Sequence, residues 1–543
     1  LAAWREPRSG ALRLVIASRH RLILLDAADG HPVRGFGHDG EVDLLEGLAW
    51  PVNPQHYTNT SPPAVYANLV IVGNGVADKL IYRHDPPGDV RAYDLRDGRR
   101  VWSFHTVPRD GEAGSETWDA GSNRYTGHTN VWAPMSVDAR RGLVFLPVST
   151  PSNDFYGGNR PGGNLYADSL VCLDAATGRR RWHRQLVHHG LWDYDPPSAP
   201  MLVRLEKDGR GIDAVLQLTK QGFVFGFERA SGRPLWRIEE RPVPASNVPG
   251  EQAHPTQPVP LGLPPLAPQG TSLEDATDLT PALHAQALEV MRKLRLGPLF
   301  TPPSREGTLM RPGVEGGSDW GGGAFDPDTG LLYVKVNNDP ALVFPDITDA
   351  QGRAPEVGPN DATDASLFLQ RRIPLLKPPY AFLDALDLGE LVQTAVDGIR
   401  PSAALKNIEM VALLEPATGL ITGDAARLQQ VLWNLLTNAL KFTPANGRIE
   451  VRLQWLKSQA QITVADSGMG IAPEFLPHVF ERFRQADGST TREHGGLGLS
   501  IVRNLVELHG GSVSVSSPGR GCGATFQVRL PLARTDSILL RAD

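Results

Sequence analysis

One short phrase, written four times, limits what this chain can fold into more than any other feature. A strand end, an acidic residue, three further residues, a glycine and a returning strand recur at residues 26–30, 94–98, 174–178 and 228–232, and three of the four copies close on Trp102, Trp182 or Trp236. Around them lie short apolar or alternating runs such as NLVIVGN, GLVFLPV and AVLQLTKQGFVFGFE, separated by Gly and Pro. Such runs read as strands joined by tight turns. Recurrence at the spacing of one four-stranded unit plus its loops predicts the blades of a β-propeller. Unrelated hairpins of a β-sandwich are the competing reading.

The pattern holds to about residue 340 and then stops. Residues 341–385 scatter Pro, Asp and Gly without a sustained period and read as a linker or junction. From 386 to 533 the text is α/β: Asp424 can cap a helix in which Leu428, Val431, Leu432, Leu435, Leu436 and Leu440 recur at three- and four-residue steps, ending before Pro444. Strands at RIEVRLQWL and QITVAD, a helix at SIVRNLVELHGG and a hairpin through SVSVSSP and ATFQVRLPL follow, so helices on one face of a mixed sheet are expected. Residues 534–543 are a tail. The fold class is therefore multidomain, a partial all-β propeller followed by an α/β sandwich, and 543 residues suit more than one core.

A net charge of -6 offers no basic footprint, which argues against a nucleic-acid partner. The two cysteines, Cys172 and Cys522, cannot build a disulfide framework or a cysteine metal cluster. No apolar run has the length of a membrane span. The opening LAAWREPRSG has neither an initiator Met nor a signal sequence, and Leu1 reads as an arbitrary truncation point. Adjacent His188 and His189 on a strand would point to opposite faces, so they read as structural residues, not as two ligands of one ion.

The segments PPGDVRAYDLRDG, YTGHTNVWAPMSVD, STPSNDFYGGNRPGGNLYADSLVCLDAATG, VHHGLWDYDPPSAP and TKQGFVFGFERASG resemble the propeller dehydrogenases that use pyrroloquinoline quinone (PQQ), within them the membrane-type glucose dehydrogenases. The resemblance implies an eight-bladed propeller with PQQ and Ca²⁺ on its axis, oxidising a sugar or alcohol and passing electrons to a quinone acceptor or cytochrome. It places the catalytic base on Asp193 and the cation at the quinone oxygens on Lys220. It implies acidic and hydroxyl Ca²⁺ contacts at Asp78, Thr150 and Asp193, and a stacking floor at Trp132. Because only part of the blade pattern is present, the dehydrogenase half reads as incomplete.

The boxes LQQVLWNLLTNALKFTP, DSGMGI, FERFRQAD, GGLGLSIV and GCGATF, in that order, resemble the catalytic ATP-binding domain of sensor histidine kinases, a fold shared with gyrase-type and chaperone ATPases. On a 3.6-residue period Asn434, Asn438 and Lys441 fall within an arc of about 60° opposite the leucine stripe. Asn438 can hold Mg²⁺ and Lys441 can meet phosphate. Asp466, followed by Gly468 and Gly470, suits a flat base whose amine the carboxylate accepts. Gly495, Gly496 and Gly498 before a helix can cradle phosphates. Phe480 and Phe483 would pack a lid and Thr525 would reach the adenine through water. The glycine loop is two residues shorter than the family's usual GGTGLGLSIV. No histidine lies between His284 and His478, so the phosphoacceptor must come from another segment or chain, with a response regulator downstream.

The two halves imply conflicting compartments, a periplasmic propeller and a cytoplasmic ATP site, and localisation stays unassigned. The chain reads as a fusion of two fragments, by genomic rearrangement or misassembly of the reading frame. Its rivals are a sensor fusion, in which the propeller detects a sugar or quinone state and controls the kinase, a quinoprotein glucose dehydrogenase-like oxidoreductase with a regulatory ATPase domain, and a binding or scaffold protein with both sites inactive.

Overall fold

The computed structural model describes the chain except residues 78–83, 208–209, 328–330, 348–366, 370–372, 378–380, 387, 416–420, 424, 481–497 and 533–543. Two compact units result. The first comprises Leu1–Leu331 and Val336–Tyr380; the second comprises Leu332–Lys335 and the chain from Ala381 to the last described residue. Among the described residues no helix is long and apolar enough to cross a membrane.

The first unit is a run of antiparallel meanders. Ala2–Arg5, Leu12–Ser18, Arg21–Asp26 and Glu41–Asp43 form one four-stranded sheet. Ala64–Tyr66, Leu69–Val72, Val90–Asp94 and Arg100–Phe104 form a second, and Ser136–Asp138, Leu143–Val148, Ser169–Asp174 and Arg180–Gln185 a third. Met201–Lys207, Arg210–Leu218 and Val224–Glu228 make a three-stranded sheet. These sheets are propeller blades, as the repeat predicts.

What the repeat does becomes visible at its glycines and tryptophans. Gly178 turns with φ +70°, and a Cβ there would lie 2.6 Å from the Trp102 ring of the preceding blade; at Gly232, φ +67°, a Cβ would lie 2.5 Å from the Trp182 ring. The indoles also donate forward, Trp102 Nε1 to Ala175 O at 3.1 Å and Trp182 Nε1 to Arg229 O at 3.1 Å. Trp102 and Trp182 are thus staples from one blade to the turn of the next, and only glycine leaves room for them there. Trp182 further bridges Phe145 and Phe227, at ring separations of 5.8 and 6.0 Å.

The described start of the 341–385 stretch is packed rather than irregular. Ala341–Val343 pairs with Thr308–Met310, Val343 is fully buried, and the Asp346 carbonyl accepts from Asn153 Nδ2 at 2.6 Å. At its far end Ala381–Leu386 pairs with Ile421–Gly423. Helix α1, Pro281–Met291, is capped by the Thr280 hydroxyl and carries Pro at its first turn.

In the second unit five strands lie in the order Glu409–Leu414, Arg448–Trp455, Gln459–Asp466, Ala524–Pro531, Ser512–Ser516. The first pair is parallel and the rest antiparallel, the mixed sheet expected. Helices α2 (Leu388–Leu405), α3 (Ala425–Phe442) and α4 (Gly498–Leu508) supply its cover. The leucine stripe of α3 from Leu428 to Leu436 is buried with Val392, Val396 and Ile399 of α2, Val502 and Val506 of α4, and the alternate strand residues Ile449, Val451, Leu453, Ile462 and Val464. Period 3.6 meets period 2 in one core. Asp424, the expected cap of α3, lies outside the described residues.

Candidate functional sites

In the first unit Asp193 follows Trp192 and precedes Tyr194. Those rings stack at 6.5 Å, and each is tied to backbone, Trp192 Nε1 to Thr301 O at 2.9 Å and Tyr194 OH to Pro312 O. Asp193 itself has φ +53°, a left-handed backbone that a non-glycine residue adopts only under constraint. The anchored rings hold it there.

Lys220 Nζ lies 2.9 Å from Asp193 Oδ2 and 2.9 Å from Asp195 Oδ1, and the Trp132 indole N–H donates to the other Asp195 oxygen. The ammonium is 6.0 Å from the Trp132 ring centre. Asp193, Lys220 and Trp132, predicted from sequence, therefore come together. Burial alone would neutralise Lys220, but Asp193 and Asp195 reverse that and hold it charged. Burial also pushes the Asp193 carboxyl well above the usual range; Lys220 opposes the shift while Asp195 and Asp154 reinforce it.

Further carboxyls surround this group. Burial, then the charge of Asp195, pushes Asp154 up to about 7. Among the described residues Asp154 Oδ1 has no hydrogen-bond partner; His128 Nδ1 stands 3.6 Å from it. Thr150 donates its hydroxyl to Asp168 Oδ1 at 2.7 Å, and burial lifts Asp168 to about 8 despite that bond. Arg160 is wholly buried and donates to the carbonyls of Ser152, Asn153 and Gly190 and to Asn164 Oδ1. Asp78 lies outside the described residues. Asp195, Asp154 and Arg160 are absent from the sequence reading. Asp195 is two residues from Asp193, but the left-handed backbone of Asp193 breaks the extended alternation by which spacing alone would have marked it.

His188 and His189 do diverge, but not as neighbours on a strand: the strand ends at Gln185, and both lie in the bend beyond it, where His189 has φ +47°. His189 engages Gly162 O, Asn164 Oδ1 and Glu251 Oε1, whereas His188 faces Gln185 and Glu240.

In the second unit Asp466 ends its strand, and its Oδ1 accepts from Gly468 N–H at 2.9 Å and Ala524 N–H at 3.3 Å. Burial raises its carboxyl and these two donors oppose the rise. A Cβ on Gly468 would lie 2.4 Å from Phe442 O, so the turn needs glycine there; Gly470 has φ +62°. Thr525 is opposite Ala465, one register step from the Asp466–Ala524 pair. On α3, Asn434 and Asn438 are half-buried and Lys441 is exposed. Asn434 Nδ2 is buried and has no hydrogen-bond partner among the described residues. Phe480 packs against Phe526 at 6.3 Å, with Arg503 5.4 Å from its ring. Gly498 opens α4, while Gly495, Gly496 and Phe483 lie outside the described residues.

A string of blades with a buried lysine–aspartate site, joined to a helix-covered mixed sheet with an asparagine-lined face, defines the class: a quinoprotein-type propeller fused to a kinase-type ATPase domain. Residues 1–397 match the family model of the PQQ glucose/ethanol/alcohol dehydrogenase β-propeller domain, and the chain belongs to that family. Residues 423–534 match the histidine kinase-, DNA gyrase B- and HSP90-like ATPase family. The chain is 36% identical over 348 residues to the glycerol dehydrogenase large subunit of Gluconobacter oxydans (strain 621H), covering 63% of this chain and 46% of that protein. It is 36% identical over 211 residues to hybrid signal transduction histidine kinase D of Dictyostelium discoideum, covering 33% and 13%. Among solved structures the mycobacterial sensor histidine kinase MprB is 29% identical with a TM-score of 0.26, covering 28% of this chain and 100% of that one. The chain spans about half the length of the dehydrogenases it matches.

Proposed function

We propose that the second unit binds Mg-ATP and passes its γ-phosphoryl group to a histidine nitrogen of another segment or chain, releasing ADP, with a response regulator as the onward acceptor. Two observations carry this: Asp466 is pinned by backbone donors, and the buried amide of Asn434 has no hydrogen-bond partner among the described residues. A carboxylate held by one oxygen suits an adenine amine, and an orphaned buried N–H₂ costs free energy until a ligand accepts from it. Asn438 would offer its carbonyl to Mg²⁺, Lys441 a point charge to phosphate, Gly498 the N-terminal end of a helix, and Thr525 a hydroxyl near the base. Titrating the full chain with a fluorescent ATP analogue tests this. Asn438→Ala and Asp466→Asn should each weaken binding by about tenfold or more, through metal and base respectively; affinity unchanged in both would overturn the assignment.

A second reading rests on the Asp193–Lys220–Asp195 group. PQQ, when bound, supplies a two-electron acceptor for a sugar or alcohol C–H bond. Lys220 and Trp132 would hold it, Lys220 as a charged donor and Trp132 as an apolar ring face. Asp193 can hold or release the substrate's hydroxyl proton at its carboxylate. Crowded carboxyls with raised proton affinity suit an added cation, and Ca²⁺ prefers such oxygens. Asp193, Asp154 through its Oδ1 and the Thr150 hydroxyl oxygen are its donors in this reading, with Asp78 as the further ligand. Because the match covers about half of each relative, we assign this unit binding and not turnover. PQQ bound by the full chain in the presence of Ca²⁺ should be lost in Lys220→Met; unchanged binding would remove this reading.

A further inference from the structure

Among the buried carboxyls of the first unit, Asp195 touches both residues that would hold PQQ. We propose that Asp195 is a positioning residue of the quinone site, a clamp that fixes the Lys220 ammonium and the Trp132 ring relative to one another; the inference rests on the reading of the first unit as a PQQ site.

The local sequence and its neighbours keep this carboxylate in place. Asp195 is followed by Pro196 and Pro197, and a residue before proline is confined to extended backbone. On its other side Tyr194 is anchored through its hydroxyl to Pro312 O. Two fully buried carboxamides fasten this segment to the stretch that carries Lys220: Gln221 Nε2 donates to Tyr194 O at 3.1 Å, and Gln217 Nε2 to Ser198 O at 3.1 Å. Gly316 closes the back of the lysine, where a Cβ would lie 2.5 Å from Lys220 Cβ, and Gly317 N–H donates to Lys220 O at 2.7 Å.

Each oxygen of Asp195 has its own task. Oδ2 accepts the Trp132 indole N–H, while Oδ1 faces Lys220 Nζ at 2.9 Å. An indole has a single N–H, so that one bond sets the rotation of the whole ring. The Trp132 backbone is held too, its carbonyl accepting the Thr60 hydroxyl at 3.1 Å. An ammonium has three N–H bonds; Asp195 and Asp193 account for two directions, which leaves one for a ligand.

Burial separates the two aspartates in role. The Asp193 side chain is 26% exposed and can meet a substrate, whereas that of Asp195 is 3% exposed and reaches a bound quinone only through the residues it holds. When Asp193 turns to a substrate hydroxyl, Asp195 remains as the lysine's constant counter-ion. Removing Asp195 should therefore loosen the ammonium and the ring together.

PQQ titrated into the full chain with Ca²⁺ tests this, read by affinity and by the absorption band of the bound quinone. Asp195→Asn, which keeps the shape but not the charge, should weaken binding by about tenfold or more and shift the band. Trp132→Phe, which keeps a ring but not the N–H, should weaken binding in the parent, yet in the Asp195→Ala background it should change affinity by less than about threefold, because the bond it removes is already gone. Circular dichroism and the melting transition report whether each variant folds; Asp195→Asn decides the matter if Asp195→Ala does not fold. No PQQ binding by the unaltered chain would overturn the PQQ reading and this inference with it. Binding by the unaltered chain, together with unchanged affinity and band in Asp195→Asn or simply additive effects of Asp195→Ala and Trp132→Phe, would overturn the clamp alone.

Discussion

The two principal sites reach their chemistry by opposite routes. In the propeller unit the charged groups are spent on one another: Lys220 lies between Asp193 and Asp195, and Thr150 is used by Asp168. In the ATPase unit the groups are half-buried or exposed, and one buried amide, Asn434 Nδ2, has no hydrogen-bond partner among the described residues. A site closed on itself gains specificity from electrostatics, because a ligand must improve on an existing ion pair. An open one gains it from hydrogen bonds left unmade until the ligand arrives. Single substitutions should therefore cost fold stability in the first and affinity in the second.

The largest expected effect is Lys220→Met. It leaves the buried Asp195 carboxyl and the partly buried Asp193 carboxyl without their cation, and breaking a buried pair in this way costs about 3–5 kcal/mol. Chemical denaturation should show the propeller transition moved down and the ATPase transition unmoved. If Lys220→Met melts with the parent, the ion triad is not what holds the site.

Asp466→Asn comes next, and its cost should fall on ligand affinity. Losing one charge-assisted hydrogen bond is worth about 1.5–3 kcal/mol of ATP affinity, while the unit's melting transition should change little because Gly468 and Ala524 can still donate to the amide oxygen. A variant that unfolds instead would show that the two sites are built alike.

These contrasts also separate what the sequence reveals from what it hides. The blade repeat and the leucine stripe of α3 were both legible, because each writes its period into residue type. The staple function of the repeat was not: that Gly178 lies under Trp102 depends on two blades meeting. Helix α2 escaped prediction because Pro401 interrupts it, and proline inside a helix removes a hydrogen bond that packing of Val392, Val396 and Ile399 must offset. Asp193 and Lys220 were legible through their motifs, while Asp154 and Arg160, distant in sequence, join them only in three dimensions. The packed strand Ala341–Val343 was hidden by its Pro- and Asp-rich surroundings.

Acid and base should tell the units apart with opposite signs, a smaller effect. Burial, aided by Arg180 and Arg184, pulls His183 in the propeller unit down to about 4. Its folded value is below its unfolded value of about 6.5, so its contribution is present above pH 6.5 and is lost as pH falls toward 4. Asp466 is raised by burial, so its contribution is present below the ordinary carboxylate range and is lost as pH rises through its folded value. His183→Gln should flatten the acid limb of the propeller's stability profile and Asp466→Asn the rise-and-loss of the ATPase unit's. If His183→Gln leaves the acid limb unchanged, another group sets it.

The smallest expected effect is none at all. If the first site is closed on itself and the second waits for its ligand, neither has a way to bias the other unless some element has two states that both ligands favour unequally. The usual route into such an ATPase domain, a phosphoacceptor helix, has no counterpart in the sequence between His284 and His478. ATP affinity of the full chain should accordingly be the same with and without PQQ and Ca²⁺, measured by titration at fixed ionic strength. A tenfold shift, about 1.4 kcal/mol, would mean that the propeller senses its quinone on behalf of the ATPase and that the comparison drawn between a closed and an open site describes two states of one device. Repeating the titration with Lys220→Met, in any form of it that remains folded, would then show whether that signal starts at the ion triad, since a shift that survives the substitution must originate elsewhere in the propeller.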